Sequence, residues 1–400
     1  MTLPPPTRRT RLAAERLEAR DVPSGYDLGD AAAFNAFFFA DMNAFNSDAE
    51  GRVAVGGHET LSAYGIGDKL PPDRTRDDLV VGGDLDFTNG QVFGGNIVYG
   101  AAGHLSGVGT PNGSVRQQAD VVPFTAIEQD LADKSASWGA EAPNGRTTVR
   151  YSNLNLRGTN PALDIFTVTP DQLAAAKSIC LIVPSGATAL INVPGAEAAI
   201  KDLGLRLRGA DAGHILWNFP DAHQLTVSGV GLRGSVLAPG AHLDFNNGTI
   251  AGTVIADSMT GNGQFNLAPV RIHIEFPRTA ALSGQVFIDD DANDQKDSGE
   301  AGLDGVEVLL TGRDSFGRPV SLSTLTHDEG QFSFGPILPG TFSVQVLPPQ
   351  RYADSGLFGI PGTVGGSPVG VGDVNEVRNI GLADGDAGVD YLLPLEPNPN

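Results

Sequence analysis

An internal repeat of short apolar strands joined at Asn-Gly corners constrains this chain more than any other sequence feature. Residues 85–98 (LDFTNGQVFGGNIV) align with residues 243–255 (LDFNNGTIAGTVI). Asn and Gly tolerate positive φ, so such a corner lets a strand turn sharply between flat faces. Stacked rungs of a β-solenoid, each covering the apolar face of its neighbour, fit this pattern. A β-sandwich with Asn-Gly hairpin turns is the alternative.

Two helices are predicted to interrupt the strands. Apolar residues three and four apart fall on one face of residues 123–139, which predicts a helix that shields an apolar flank of the solenoid. Thr169-Pro-Asp-Gln172 is a capping-box start for a short helix through Lys177. The segment 31–45 permits either a helix or a buried strand.

The composition favours a mainly β protein with more than one domain. The chain has 400 residues with 52 Gly, 27 Pro and 7% aromatics, and 40% hydrophobic residues suffice for real cores. Its only cysteine, Cys180, lies in the apolar run 179–183, so it is predicted to be a small buried core residue. Disulfides within the chain are therefore excluded.

The charge excludes two classes of partner. The net charge is −21, and from residue 281 onward there are 5 Lys/Arg and 18 Asp/Glu, hence 5 − 18 = −13. An acidic surface argues against nucleic acid and anionic membranes as partners. We predict no membrane-spanning segment, because no stretch approaches twenty apolar residues.

Residues 289–300 (DDDANDQKDSGE) predict a calcium site. A twelve-residue loop of this kind surrounds one Ca²⁺ with oxygen ligands, position seven offering its backbone carbonyl and position twelve a bidentate carboxylate. Position six holds Asp294 where Gly is usual, and Asp still enters the left-handed region more readily than most residues. A solvated acidic turn is the alternative. The predicted ligands are Asp289, Asp291, Asn293, Gln295, Asp297 and Glu300.

The flanks of this loop predict strands rather than helices, at residues 282–288 and 305–310, with others at 331–334 and 341–346. Here the chain resembles the B-type domains of bacterial SD-repeat and collagen-binding adhesins. The resemblance implies a prealbumin-like β-sandwich that calcium rigidifies, used as a stalk. It depends on VFID at 286–289, DSGE at 297–300, GLDGV at 302–306, EGQFSF at 329–334, LPG at 338–340 and VDY at 389–391.

The preceding segment resembles the choice-of-anchor A domain of bacterial surface proteins. That resemblance implies an adhesive right-handed β-helical domain with no established chemistry. The family's usual closing run is replaced by Gly261-Asn-Gly-Gln-Phe-Asn266, which puts the role of those polar side chains in doubt. The matching stretches are NAFFF at 35–39, NSDAEGRVAVGG at 46–57, LWNFPDA at 216–222, GSVLAPG at 234–240 and GTVIA at 252–256.

These patterns divide the chain into four predicted parts. Residues 1–25 form a basic, disordered leader that resembles the N-terminal segment of planctomycete exported proteins and lacks an apolar signal region. Residues 26–280 form the β-helical domain, 281–395 the sandwich and 396–400 a tail.

The sequence thus predicts a non-enzymatic cell-surface or secreted adhesin. Its partners would be calcium and an extracellular glycan or protein surface. Asp86, Asn89, Asp244 and Asn247 recur at matched corners, either as ligand contacts or as structural corner residues. A purely structural envelope component is one alternative. A calcium-dependent polysaccharide lyase is another, disfavoured because residues 26–280 contain only four lysines. Ice binding would call for regular Thr-x-Thr rows, which the sequence lacks.

Overall fold

The protein is mainly β, with one large parallel sheet that coils as a solenoid. The computed structural model describes residues 28–272, 274, 279–353 and 356–397, so the predicted leader lies outside the described residues. The large sheet has 19 strands. All its ladders are parallel, as the ladder from residues 53–55 to residues 79–81 shows. The parallel solenoid is therefore confirmed, and the sandwich alternative is wrong for residues 28–272.

Each coil passes through up to three faces, which we name by their surroundings. The helix-covered face contains β1 Ala36–Phe38, β3 Val53–Val55, β5 Asp77–Val81, β7 Asn96–Tyr99, β9 Val115–Gln117, β12 Leu163–Thr167, β14 Thr188–Asn192 and β17 Ile215–Asn218. The polar face contains β15 Glu197–Lys201 and β18 Gln224–Ser228. Two long strands run from the helix-covered face onto the polar face, β20 Ser235–Asn246 and β22 Val254–Gly261.

The third face completes the solenoid. Four strands run from the polar face onto it, namely β2 Met42–Ala49, β4 Glu59–Ile66, β6 Leu85–Val92 and β8 Gly103–Gly109. Its short strands in the large sheet are β19 Gly231–Arg233, β21 Thr249–Ala251 and β23 Gln264–Asn266. A separate four-stranded sheet belongs to the same side, with β10 Arg146–Arg150, β11 Asn153–Arg157, β13 Ser178–Ile182 and β16 Gly204–Arg208.

The corners form where the sequence repeat predicts them. Asn89 and Asn247 have φ of 53° and 52°, and Asn46 has φ of 52° at the same turn of another coil. An Asn side chain accepts the left-handed conformation at lower cost than most residues. Asn89 and Asn247 therefore form the corners that the sequence repeat predicts.

Both predicted helices are confirmed. α1 spans Phe124–Ala140 and buries Leu131 and Trp138 against the helix-covered face. α2 spans Pro170–Ala175, two residues shorter than predicted, with a complete capping box at Thr169. For the segment 31–45 the buried-strand alternative is confirmed, because β1 is fully buried; the end of a 3₁₀ helix, Gly29–Ala33, precedes it and the start of β2 follows. A second 3₁₀ helix spans Ala212–His214, and no helix among the described residues is long and apolar enough to cross a membrane.

The order of coils in space differs from their order along the chain. β1 lies between β3 and β22, so Phe37 is in register with both Ala54 and Ile255. The coil that begins with β1 is thereby stacked on the coil that contains β22. One half of the solenoid contains the large-sheet strands before β12, and the other half contains those from β12 onward. The two halves meet where β1 pairs with β22.

The prediction that Cys180 is a buried core residue is wrong. In β13 the side chains alternate, so Ile179 and Leu181 point inward and are at most 1% exposed. Cys180 between them is only half-buried on the outward side. The apolar run around it indicated burial on both sides, but this sheet is covered on one side only.

Residues from Ala280 onward form two sheets that share a third hydrophobic core. The strands predicted on either side of residues 289–300 are confirmed. The first sheet contains β24 Ala280–Ile288, β27 Gln331–Ile337, β29 Tyr352–Ala353, β30 Thr363–Val364, β31 Ser367–Pro368 and β34 Ala387–Pro397. The second contains β25 Glu307–Asp314, β26 Pro319–Leu325, β28 Gly340–Leu347, β32 Val371–Asp373 and β33 Glu376–Leu382.

The carboxyl group of Glu59 is buried inside the solenoid. Glu59 points inward, in register with Met42 on one side and Leu85 on the other. It is 1% exposed, and neither of its carboxyl oxygens has a hydrogen-bond partner among the described residues. Burial raises the pKa of Glu59 from its ordinary 4.5 to about 8. The folded protein therefore holds this group as a neutral acid at pH 7.

We expect Glu59→Met to stabilise the protein, and more so at high pH. Between pH 4.5 and 8 the unfolded chain loses a proton that the folded chain keeps, so the contribution of Glu59 to stability falls as pH rises through this window. Removing the group should raise the free energy of unfolding at pH 8 by roughly 4 kcal/mol, and by less at pH 4.5. Denaturant titrations at both pH values measure the difference.

The control is Glu197→Met, because Glu197 is exposed on β15. It should change stability little at either pH. An equal gain from Glu59→Met at pH 4.5 and pH 8 would show that Glu59 has no raised pKa.

Candidate binding face and metal loop

The polar face carries rows of outward side chains in register across many strands. Thr60 of β4 pairs with Asn43 of β2 on one side and Asp86 of β6 on the other. Neighbouring strands lie about 4.8 Å apart and alternate residues along a strand about 6.7 Å apart, so the rows form a regular grid. The first row, in spatial order, is Thr226, Asp244, Thr260, Asn43, Thr60, Asp86 and His104.

A second row runs beside the first on strands β2, β4, β6 and β8. It contains Phe45, Ser62, Thr88 and Ser106. Phe45 is 38% exposed, so an aromatic ring stands among hydroxyl groups. The two rows therefore combine hydrogen-bonding groups with one apolar surface.

A shallow groove crosses the middle of this face, where the N-terminal coil meets β22. Acidic and imidazole side chains lie at its edge beside the hydroxyl groups. His242 and Ser258 are hydrogen-bonded at 2.9 Å between Nδ1 and Oγ. His58 lies 3.3 Å from the carboxylate of Asp84. The polar side chains lining the groove are Asp41, Asn43, His58, Thr60, His242, Asp257, Ser258 and Thr260.

The structure separates the four residues that recur at matched corners. Asp86 and Asp244 lie in the same outward row of the polar face, four strands apart. Asn89 and Asn247 form corners instead, as described above. The sequence repeat therefore located two members of the face, but not Asn43 or Thr260, which only the stacking of distant coils brings beside them.

The metal loop lies between β24 and residue 301, and its ends are closed by backbone hydrogen bonds. Ile288 N–H donates to Ala301 O at 2.9 Å, and Asp289 N–H donates to Leu395 O at 3.0 Å. The carboxylates of Asp289, Asp291 and Glu300 converge, with one oxygen from each within 4.8 Å of the others. This group could hold a metal ion.

The backbone of the loop is shaped by its own carboxylates. Asp289 is fully buried and accepts the N–H groups of Asn293 at 3.2 Å and Asp294 at 2.9 Å. Asp294 has φ of 59°, the left-handed conformation predicted for position six. Glu300 accepts the N–H groups of Asp290 and Asp297 at 3.0 and 2.8 Å. The carboxylates of Asp289 at position one and Glu300 at position twelve thus hold the backbone of the loop through hydrogen bonds.

The remaining predicted ligands make contacts within the loop. Asn293 Nδ2 donates to the carboxylate of Asp297 at 3.0 Å, and Asn293 Oδ1 accepts the N–H of Gln295 at 2.8 Å. Lys296 donates its ammonium to the backbone oxygen of Glu300 and lies 5.4 Å from the ring centroid of Phe287. Of the six predicted ligands, Asp289, Asp291 and Glu300 form the converging group.

The donor chemistry fits a hard cation. Carboxylate and amide oxygens are the ligands that Ca²⁺ prefers, and a buried carboxylate needs a compensating positive charge. The one lysine of the loop donates to a backbone oxygen. A cation bound by Asp289, Asp291 and Glu300 would offset their mutual repulsion.

The four lysines of residues 26–280 do not converge on a common site. Lys69 lies 3.3 Å from Asp68, and Lys134 lies 2.8 Å from Asp130 on α1. Lys177 precedes β13, and Lys201 ends β15 on the polar face. The lyase alternative therefore gains no support from the geometry.

Comparison with known families decides the class of the solenoid. Residues 27–267 match the family model described as "Putative Ice-binding-like adhesive domain". The chain belongs to this family. Residues 280–357 match the model of the SdrD B-like domain, in agreement with the predicted B-type resemblance. The resemblances to choice-of-anchor A domains and to planctomycete leaders stay predictions, and no curated protein matches the chain.

Two solved structures are similar to the chain at low identity. An ice-binding protein from the Antarctic ascomycete Antarctomyces psychrotrophicus has 14% identity and a TM-score of 0.34, covering 61% of this chain and 98% of its own. The DUF3494 domain of a Shewanella frigidimarina ice-binding protein has 14% identity and a TM-score of 0.35, covering 62% and 98%. Similarity at this level says nothing about what this chain binds.

Proposed function

We propose that the protein is a non-enzymatic adhesin of the cell surface or the extracellular space. Residues 26–280 would bind the target through the polar face, and residues 281–395 would act as a calcium-stabilised, prealbumin-like stalk. The match to an adhesive-domain family over residues 27–267 and the SdrD B-like match over residues 280–357 support this division.

The grid of outward side chains on the polar face is the observation that carries the proposal. A flat array of hydroxyl, amide and carboxylate groups suits an extended target that repeats its own hydrogen-bonding groups. Phe45 adds an exposed ring against which the C–H face of a sugar could pack. Carboxylates at Asp86 and Asp244 favour a neutral target over an acidic one. A neutral, hydroxyl-rich glycan fits all three features.

Ice is a second candidate target, favoured by one specific observation. Thr60, Thr260 and Thr226 lie in a single row on a flat parallel sheet, and the family model is described as ice-binding-like. The same row contains Asp244 and Asp86, whose charges hold liquid water strongly. For this reason we favour a glycan over ice as the target of the polar face.

We expect Thr60→Tyr to weaken glycan binding by about tenfold or more, because a protruding ring in the centre of the first row prevents flat contact. Binding of the full-length protein to a glycan array, followed by calorimetry with the best neutral glycan, measures this effect. Thr125→Tyr is the matched control, since Thr125 is exposed on α1 away from the polar face. Equal binding by both variants would exclude the polar face.

The same pair of variants tests the ice alternative. Thermal hysteresis and inhibition of ice recrystallisation by the unaltered protein, lost in Thr60→Tyr and kept in Thr125→Tyr, would assign the face to ice. Absence of both activities together with glycan binding supports the glycan proposal.

Calcium would supply positive charge and oxygen coordination to the metal loop. The folded loop already gathers Asp289, Asp291 and Glu300, whereas an unfolded chain does not hold them together. If calcium binds only the folded state, the free energy of unfolding rises by RT ln(1 + [Ca²⁺]/Kd).

We expect millimolar calcium to raise the midpoint of the transition that unfolds residues 280–397, and EDTA to lower it. Glu300→Gln should weaken calcium binding by about tenfold or more, because a charged bidentate ligand is lost. Scanning calorimetry of the full chain measures the midpoints, and Glu307→Gln is the control because Glu307 is exposed outside the loop. Equal midpoints in calcium and EDTA would contradict the calcium site.

A further inference from the structure

One sheet on the third face is strongly basic although the chain has a net charge of −21. The sheet formed by β10, β11, β13 and β16, here called the arginine sheet, contains no Asp or Glu within its strands. Its arginines are Arg146, Arg150, Arg157, Arg206 and Arg208.

The register places these arginines together on the outward side. Arg146 pairs directly with Arg157, and Arg157 reaches Arg208 through Ile182 of β13. Leu154 and Leu156, which alternate with the outward residues, are fully buried inside the solenoid. All five guanidinium-bearing residues are exposed. The array spans four strands, about 14 Å between its outer strands.

In the part of the chain that the structure describes, no carboxylate pairs with these guanidinium groups. None of the five arginines forms an ion pair or a side-chain hydrogen bond with another residue in the described part of the chain. Asp211, beyond the end of β16, is already engaged by His214 at 2.8 Å and Arg271 at 3.5 Å. Like charges held side by side repel one another, and bound anions relieve that repulsion.

The side chains between the arginines suit a sugar polymer. Asn153 and Ser178 form one row with Arg150, and Asn155 lies in the next row. Tyr151, at the turn between β10 and β11, is 87% exposed, and the Arg150 guanidinium lies 5.5 Å from its ring centroid. Amide and hydroxyl groups can bond sugar hydroxyls, and the exposed ring offers a stacking surface.

We propose that the arginine sheet binds a linear acidic polysaccharide through its carboxylate or sulfate groups. Arg presents a planar fork of N–H donors that matches either anion. Duplex nucleic acid is disfavoured because it carries about one negative charge per 1.7 Å of helix axis, so the acidic remainder of the molecule would repel it more strongly than a less densely charged polysaccharide. This surface is separate from the polar face, so the proposal does not depend on the function proposed above.

The test compares two double variants of the full-length protein in buffer of low ionic strength without added calcium. Arg157→Gln with Arg208→Gln removes two charges from the arginine sheet. Arg74→Gln with Arg351→Gln removes two charges from exposed positions elsewhere. Titration calorimetry would use polygalacturonate for carboxylates, dextran sulfate for sulfates and neutral dextran as the uncharged polymer.

We expect the unaltered protein to bind at least one of the two charged polymers and to ignore neutral dextran. The arginine-sheet variant should lose about tenfold or more in affinity, while the control variant should change by less than about twofold. Preference for polygalacturonate or for dextran sulfate then identifies the anion. Tyr151→Ala should also weaken binding, because the stacking surface is removed.

Cys180 provides a readout at the site itself. It is the only cysteine, and it lies on the outward side of β13 in register with Asn155 and Arg206. A bound polymer should slow its reaction with the uncharged reagent 4,4′-dithiodipyridine severalfold. The control variant should show the same protection, and the arginine-sheet variant should show little.

Four results would overturn the proposal. The first is binding of neither charged polymer, and the second is binding that survives Arg157→Gln with Arg208→Gln. The third is equal or tighter binding of poly-L-glutamate or of a DNA duplex, which would assign the surface to an acidic protein or to nucleic acid. The fourth is salt-sensitive self-association that the same variant abolishes, which would make the acidic sandwich of a second copy the occupant.

Discussion

Every feature of the solenoid depends on parallel strands stacked in register. One ladder places Leu61, Phe87 and Leu105 inside, and the neighbouring positions of the same strands place Thr60, Asp86 and His104 outside in a row. A shift of one residue in any coil would exchange these two sets, exposing apolar surface and breaking the outward row. The packing of the core and the outward row of the polar face therefore depend on the same register. Selection for packing on one side preserves the spacing of polar groups on the other.

Local signals in the sequence predicted local structure well. Asn89 and Asn247 form corners because their side chains tolerate positive φ, Thr169 caps α2, and Asp294 turns the metal loop. Such features depend on a few neighbouring residues. The stacking of β1 on β22 could not be predicted in the same way, because it joins residues more than 200 positions apart. Nothing in either strand alone specifies which coil becomes its neighbour.

The candidate sites also differ in whether they are formed by neighbouring residues or by residues far apart in the sequence. The metal loop could be predicted because its candidate ligands lie within twelve consecutive residues. The polar face and the arginine sheet are assembled from separate coils, so Asn43 beside Thr260, or Arg157 two strands from Arg208, emerges only from the register. The side of the sheet on which a residue lies is equally hard to predict, as Cys180 shows. An apolar run gives no indication of which residues face solvent when only one side of the sheet is covered.

The position of α1 explains why two surfaces remain free. The outward residues of the helix-covered face, among them Phe37, Leu190 and Leu216, are as buried as the core and pack with Leu131 and Trp138 of the helix. A three-sided solenoid closed on one side presents the other two to solvent. In this chain those two surfaces differ in charge. One carries carboxylates among hydroxyl groups, and the other carries guanidinium groups that form no ion pair with any described residue. Under the two proposals made above, one surface of the coil would engage a neutral polymer and the other an acidic one, because the two surfaces present groups of unlike chemistry.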